Sequence, residues 1–323
     1  MAPTYTQAAR ARQRNTGARH SDPARPAAAP RRRRGGRVHE TIMALPGTVL
    51  FAGLIGVPVV LMFVFSFTNW NGLSGEREFN GLSNYAEAFR DPTLLHAYIV
   101  SIVIAVAGVV LLDVAGLALA VAVAGPSRAN FVYRTVLFYP FILSAVAVGF
   151  LWSALLSYGG AANVLLHAFG FAPLQFLGTP TLALASVTLV SVWQLLGFSV
   201  VVMVAGLQSV PAELLDAARV DGASRFGTFR HVTLPLIMPT ITFNSVIVLV
   251  FLLRSYDIVV ALTAGGPAGA TETVAFKIIN DAFSQGQLGY GSAQSVLLIA
   301  LTALVAFGSI ALRRRDRAAG GAR

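Results

Sequence analysis

The chain has 323 residues, 55% of them hydrophobic and 12% charged, with a mean hydropathy of +0.69 and a formal charge of +10. A soluble domain of this length cannot bury so much apolar surface, so the composition excludes a soluble globular fold and calls for a membrane protein. Ten of the 24 basic residues lie in the first 37 positions, so the charge excess is local and marks no nucleic-acid surface; with no cysteine, a disulfide framework and a thiolate metal site are excluded too.

Residues 1–41 are rich in Arg, Ala and Pro, include a run of arginine at 31–34, and show no apolar periodicity, which predicts a disordered cytoplasmic tail. The first apolar span covers 42–67. It is too long for a signal-peptide core, and the FTNWNG that follows offers no small-x-small cleavage site. Five further spans are predicted at 97–124, 135–157, 180–207, 236–264 and 292–312, each longer than the roughly 18 residues needed to cross a hydrocarbon core of about 30 Å. The fold class is therefore all-α, a polytopic membrane protein of six transmembrane helices over 42–312, closed by a short tail at 313–323.

Sidedness follows from the connections. The loop after the first span holds Glu76, Arg77, Glu78, Glu87, Arg90 and Asp91, whereas the second holds Arg128 and Arg134. The loop at 158–179 carries no Lys, Arg, Asp or Glu, the next carries Arg219, Arg225 and Arg230, and the carboxyl end carries Arg313, Arg314, Arg315 and Arg317. Arginine marks every second connection, which places both termini in the cytoplasm.

Between the fourth and fifth spans lies a polar segment, ELLDAARVDGASRFGTFRHVTLPLIMP, too short to form its own core yet patterned for order. Pro211 stands in a first helical turn after Ser209, helix formers run to Arg219, Gly222 supplies the stop, and Ser224 caps a second short helix. The hairpin at 209–231 leaves Leu214, Leu215, Ala218, Phe226 and Phe229 as apolar faces. Either a cytoplasmic protein or the inner face of the bundle and its lipid interface would cover them.

This segment resembles the cytoplasmic signature loop of permease subunits of ATP-binding-cassette importers, which runs Glu-Ala-Ala, three residues, Gly, and nine residues later Ile-x-Leu-Pro. Here it reads Asp216-Ala217-Ala218, Gly222 and Val232-Thr233-Leu234-Pro235, with Asp221-Gly222-Ala223 also matching. Asp in place of Glu shortens the reach of the first acid by one methylene. FNGLSNYAEAFRDP at 79–92, YRTVLFYPFILSAVAVGFLW at 133–152 and LTAGGPAGATET at 262–273 are similar to the carbohydrate-importer branch. The resemblance implies the type I importer permease fold. It also implies a coupling site for separate ATPase subunits formed by Asp216, Ala217, Ala218, Asp221, Gly222 and Pro235, with Asp216 as the ionic contact. The implied assembly has a second permease subunit, two ATPase subunits and an extracytoplasmic solute-binding protein, in the cytoplasmic membrane of a prokaryote.

No phosphate-cradling loop exists in this chain: its one lysine, Lys277, follows Phe276 rather than Gly. The chain is thus expected to bind no cofactor, ATP and Mg being used by the partner ATPase subunits. Charge within a span is expensive, about 2.5–3.5 kcal/mol per residue on insertion scales. Asp113 reads as a contact to another span. Arg254 and Asp257 stand three apart on one predicted helix and can pair there. In the fourth span SVWQLLGFS offers aromatic rings beside amide and hydroxyl groups, which suit a sugar's apolar faces and hydroxyl rim, although composition alone favours bundle packing or an interfacial belt for Trp193 and Phe198. By resemblance the substrate site comprises Ser191, Trp193, Gln194, Phe198, Phe251 and Ser255, to which the charged Arg254 and Asp257 are added. An ion-gradient-driven transporter using those charges, or a scaffold without transport, would be the alternative reading.

Overall fold

The computed structural model describes residue 43, residues 45–73, residue 75 and residues 77–320, so the tail at 1–41 and the last three residues lie outside the described residues. Two units are distinguished, 1–54 and 55–323. In the first, the described residues from Leu45 on are exposed and, Thr48 apart, apolar. The second holds the packed core and the hairpin.

Six helical stretches are long and apolar enough to cross a membrane: Leu45–Phe65, Pro92–Val123, Ala145–Ala168, Pro180–Gln208, Arg225–Leu253 and Leu288–Gly308. No strand occurs among the described residues, and Thr68 and Phe79 form only an isolated bridge. The helices of the second unit are α1 (Val57–Phe65), α2 (Ser83–Ala88), α3 (Pro92–Val123), α4 (Arg128–Ile142), α5 (Ala145–Leu156), α6 (Ala161–Ala168), α7 (Pro180–Gln208), α8 (Ala212–Val220), α9 (Arg225–Thr228), α10 (Leu234–Leu253), α11 (Asp257–Leu262), α12 (Val274–Ile279) and α13 (Leu288–Gly320).

The core lies where α3, α7 and α10 meet. Ile104, Leu112, Val187, Val248 and Leu252 are fully buried there, and Val148 and Val259 join them from α5 and α11. Between apolar helices in lipid, dispersion contacts replace the hydrophobic drive, so close backbone approach matters. Gly197 shows it: a Cβ there would stand 2.0 Å from the Leu137 carbonyl oxygen, so α7 and α4 touch backbone to backbone. Asp113 of α3 meets another span, as the sequence suggests. It accepts hydrogen bonds from Asn244 Nδ2 at 2.9 Å and from Ser245 Oγ, both on α10. At the head of α3, Asp91 caps the helix by accepting from the Thr93 amide at 2.8 Å, with Pro92 in the first turn.

Two expected spans are broken. The span expected at 135–157 divides at Leu143 and Ser144, because Pro140 removes a helical donor and the Leu143 carbonyl is taken by Gln194 Nε2 at 3.0 Å. The span expected at 236–264 stops at Leu253, and its chain resumes as α11 at Asp257. The Ser255 carbonyl freed there accepts from Thr273 Oγ at 2.7 Å.

Candidate functional site

Beside the second break, a cavity of about 590 Å3 opens between α7 and α10. From α7 come Ser191, Gln194 and Leu195, and from α10 Val246, Ile247, Val250, Phe251 and Leu252. The break adds Arg254, Ser255 and Tyr256, α11 adds Asp257 and Ile258, and α5 adds Ala145. Six of the residues named from sequence, Ser191, Gln194, Phe251, Arg254, Ser255 and Asp257, share this wall.

Their polar groups are differently engaged. Ser191 donates to the Val187 carbonyl of its own helix at 2.8 Å, and Gln194 spends its amide on Leu143. Arg254 and Asp257 do not pair, in contrast to the expectation from their spacing. The helix that would have brought them together ends at Leu253, so they sit on either side of a non-helical turn. Neither side chain has an ion-pair or hydrogen-bond partner among the described residues, and both residues are exposed and line the cavity. The result is a mostly apolar, aromatic-walled space with one guanidinium and one carboxylate free to meet a ligand.

Trp193 and Phe198 stand off this wall. Trp193 meets Trp152 edge-on at 5.4 Å, and Phe198 stacks on Phe141 at 5.2 Å while its edge meets Phe251 at 6.4 Å. Both belong to the packing behind the cavity. The sequence reading missed Val246 and Val250, although both lie one helical turn apart on the face that bears Phe251. Ala145 and Tyr256 carried no such signal, because only the two breaks bring them to the wall.

At the other end of α10 is the hairpin. Pro211 stands just ahead of α8 rather than within its first turn. Gly222 has φ +78°, and the chain turns there with Ala223 N–H on the Ala218 carbonyl at 2.9 Å and Gly222 N–H on the Arg219 carbonyl at 3.1 Å. This pair of bonds is the glycine-terminated helix end that an L side chain resists. Ser224 then caps α9 by accepting from the Gly227 amide at 3.1 Å. From α9 a π turn at Phe229–Thr233 leads directly into α10, so the second arm and the fifth span form one continuous helical stretch with Pro235 near its joint.

Asp216 pairs with Arg219 at 2.8 Å, with both side chains exposed. Ala217 and Asp221 are exposed and Ala218 is half-buried. Val220 and Phe226 are 88% and 70% exposed, and Leu214 is also exposed, so the hairpin presents apolar side chains that nothing among the described residues covers.

Residues 114–318 match the family described as binding-protein-dependent transport system inner membrane component. The diacetylchitobiose uptake system permease protein NgcF of Streptomyces coelicolor is 31% identical over 299 residues, covering 84% of each chain. The trehalose/maltose transport system permease protein MalF of Thermococcus litoralis is 29% identical over 278 residues, 85% of this chain and 94% of that one. Among solved structures, a bacterial ABC transporter that imports the acidic polysaccharide alginate superposes with a TM-score of 0.75 at 20% identity, covering 87% of this chain and 96% of its own, which establishes a shared fold. The chain therefore belongs to the inner-membrane components of binding-protein-dependent transport systems, the permease subunits of ABC importers.

Proposed function

We propose that this permease subunit passes a sugar or oligosaccharide through the cavity between α7 and α10 and takes its drive from separate ATPase subunits gripping the hairpin at 209–231. The observation that carries the proposal is the convergence of Ser191, Gln194, Phe251, Arg254, Ser255 and Asp257 on one cavity of about 590 Å3, a volume in the ordinary range of small-molecule sites. Aromatic faces meet the apolar faces of a pyranose, while the unpaired Arg254 and Asp257 donate to and accept from its hydroxyls. The sugar-transport names of the curated relatives support the same substrate class.

In this reading the protein is half of a pore, completed by a second permease subunit in the lipid bilayer, and it has no ATPase site of its own. Two ATPase subunits bind ATP and Mg, and a solute-binding protein delivers sugar to the face opposite the hairpin. Both termini lie in the cytoplasm. Asp216, Ala217, Ala218, Asp221 and Gly222 engage the ATPase, and Pro235 stands at the joint. Closure of the ATPases draws the hairpin, and α10, continuous with its second arm, carries the movement to the cavity wall in an alternating-access cycle.

The test is uptake of radiolabelled chitobiose, maltose, trehalose, alginate oligomers and glycerol 3-phosphate by a strain lacking this chain. Loss of a sugar's uptake, restored by the native chain and not by a Gly222→Val variant, supports the reading. Full uptake of every sugar, or uptake that collapses with the ion gradients while ATP is maintained, refutes it.

A further inference from the structure

Lys277, the chain's only lysine, is 8% exposed and lies on α12, a six-residue helix that lines no part of the cavity. Its ammonium stands 3.2 Å from Asp281, one turn on, and 3.8 Å from Asp91 at the head of α3. Asp281 is 1% exposed and also accepts from Gln285 Nε2 at 3.0 Å and from Gln294 Nε2 of α13 at 2.7 Å. Asp91 takes the Tyr290 hydroxyl of α13 at 3.1 Å. One buried cation thus binds α12 to both α3 and α13 through carboxylates whose remaining oxygens are satisfied, the condition under which a buried ion pair holds geometry.

The same short helix grips the break in the cavity wall. Thr273, which caps α12, donates to the Ser255 carbonyl at 2.7 Å, and Phe276 stacks on Tyr256 at 6.2 Å. Val274 N–H donates to Ser101 Oγ of α3 at 2.9 Å. A helix of six residues cannot hold itself. Its place, and with it the backbone between Arg254 and Asp257, is set by these outside contacts.

We infer that Lys277 is a positioning residue for the cavity: its ionic contacts to Asp281 and Asp91 fix α12, which fixes the turn that holds Arg254 and Asp257 apart and unpaired. The inference rests on the cavity being the substrate path. Without Lys277, two carboxylates lose their counter-ion, α12 loosens, and the charges on the wall drift toward each other.

Because the chain has no cysteine, one thiol suffices as a reporter. Ser255→Cys, in the importer assembled in intact cells, is titrated with a cationic and an anionic methanethiosulfonate, and the ratio of the two rates reads the charge at the wall without any sugar. In a Lys277→Met background the ratio is expected to move by about fivefold or more, and Lys277→Arg is expected to keep it within about twofold of native. Thr273→Val, which leaves the ionic cluster whole and removes both the bond to Ser255 and the cap of α12, is expected to shift the ratio in the same direction as Lys277→Met. It decides the matter where Lys277→Met fails to reach the membrane. An unchanged ratio in the variants that do reach the membrane, or equal acceleration of both reagents as in general loosening, overturns the inference. A thiol that reacts with neither reagent in the native background overturns the cavity reading itself, and the inference with it.

Discussion

Gln194 on α7 donates to the carbonyl of Leu143, 51 residues earlier in the chain, across 3.0 Å. That carbonyl ends α4, where Pro140 and the turn at Ser144 leave the backbone without a helical continuation. The bond lets a span break inside an apolar bundle, and it turns the Gln194 side chain at the edge of the cavity. Gln194→Leu should cost about 1–3 kcal/mol, the range for a buried acceptor left without its donor. A thermal melt of the purified complex is expected to show a lower midpoint. An unchanged midpoint would mean that the Leu143 carbonyl finds another donor.

The six spans were legible because each is a long apolar run, and the hairpin because Gly222 and Ser224 mark a helix end and a helix start in local sequence. The two breaks were not. Each depends on a partner far along the chain, Gln194 for Leu143 and Thr273 for Ser255, and hydropathy runs straight across both. The misplaced pairing of Arg254 with Asp257 follows directly, since spacing of three implies contact only while the helix continues. The wall from Ser191 to Asp257 was reachable by motif, but the separation of Trp193 and Phe198 from it was not, because a residue's side of α7 depends on α4 and α5 packing against it.

Gly222→Val tests the turn. A Cβ at Gly222 would meet nothing within 4 Å, so crowding is no obstacle; the φ of +78° is. An L residue there costs about 1–2 kcal/mol, and a β-branched one more. Insertion and assembly should survive, while ligand-stimulated ATP hydrolysis and uptake are lost together. Normal coupling in this variant would remove Gly222 from the mechanism.

Asp216→Ala tests the ionic contact. The existing pair with Arg219 is solvent-exposed and contributes little to stability, so the carboxylate can exchange Arg219 for a cation on the ATPase at small cost. Removing it should weaken ATPase binding by about tenfold or more, as for loss of a charge-assisted hydrogen bond. Arg219→Ala, which frees the carboxylate, should leave co-purification intact. If the two variants behave alike, the pair matters only within the hairpin.

Acid should act on the face opposite the hairpin through two carboxyls of opposite sign. Burial raises Asp91, but hydrogen bonds from the Thr93 hydroxyl and amide, the Leu94 amide and the Tyr290 hydroxyl outweigh it and hold the group below its ordinary 3.8. Its stabilisation is therefore complete above that value and is lost as pH falls through the lower, folded one. Burial also raises Glu272 above its ordinary 4.5, and here the opposing pull of Lys277 does not prevail. Stability linked to Glu272 is full below 4.5 and declines as pH rises through the folded value. Melting midpoints should thus rise on mild acidification from neutrality and fall again well below pH 4. Glu272→Gln should abolish the rise and keep the fall, whereas Asp91→Asn should flatten the fall. A rise that persists in Glu272→Gln would assign the effect to another group.

Gly197→Ala tests backbone contact in the core. The added methyl would lie 2.0 Å from the Leu137 oxygen and 2.5 Å from the Phe138 Cα, both main-chain atoms that cannot swing aside. α4 and α7 would have to separate, breaking the packing of Phe198 on Phe141 and pulling Gln194 from Leu143. Gly108→Ala offers the contrast, since its methyl would meet only the end of the Leu252 side chain, Cδ1 at 2.5 Å with Cγ at 3.6 Å, which a turn about χ2 moves away. Membrane levels of Gly197→Ala should collapse while Gly108→Ala retains most of the native amount, measured by quantitative immunoblot of washed membranes. Equal levels would show that α4 and α7 can move apart without loss, and that the break at Leu143 is held by something other than their contact.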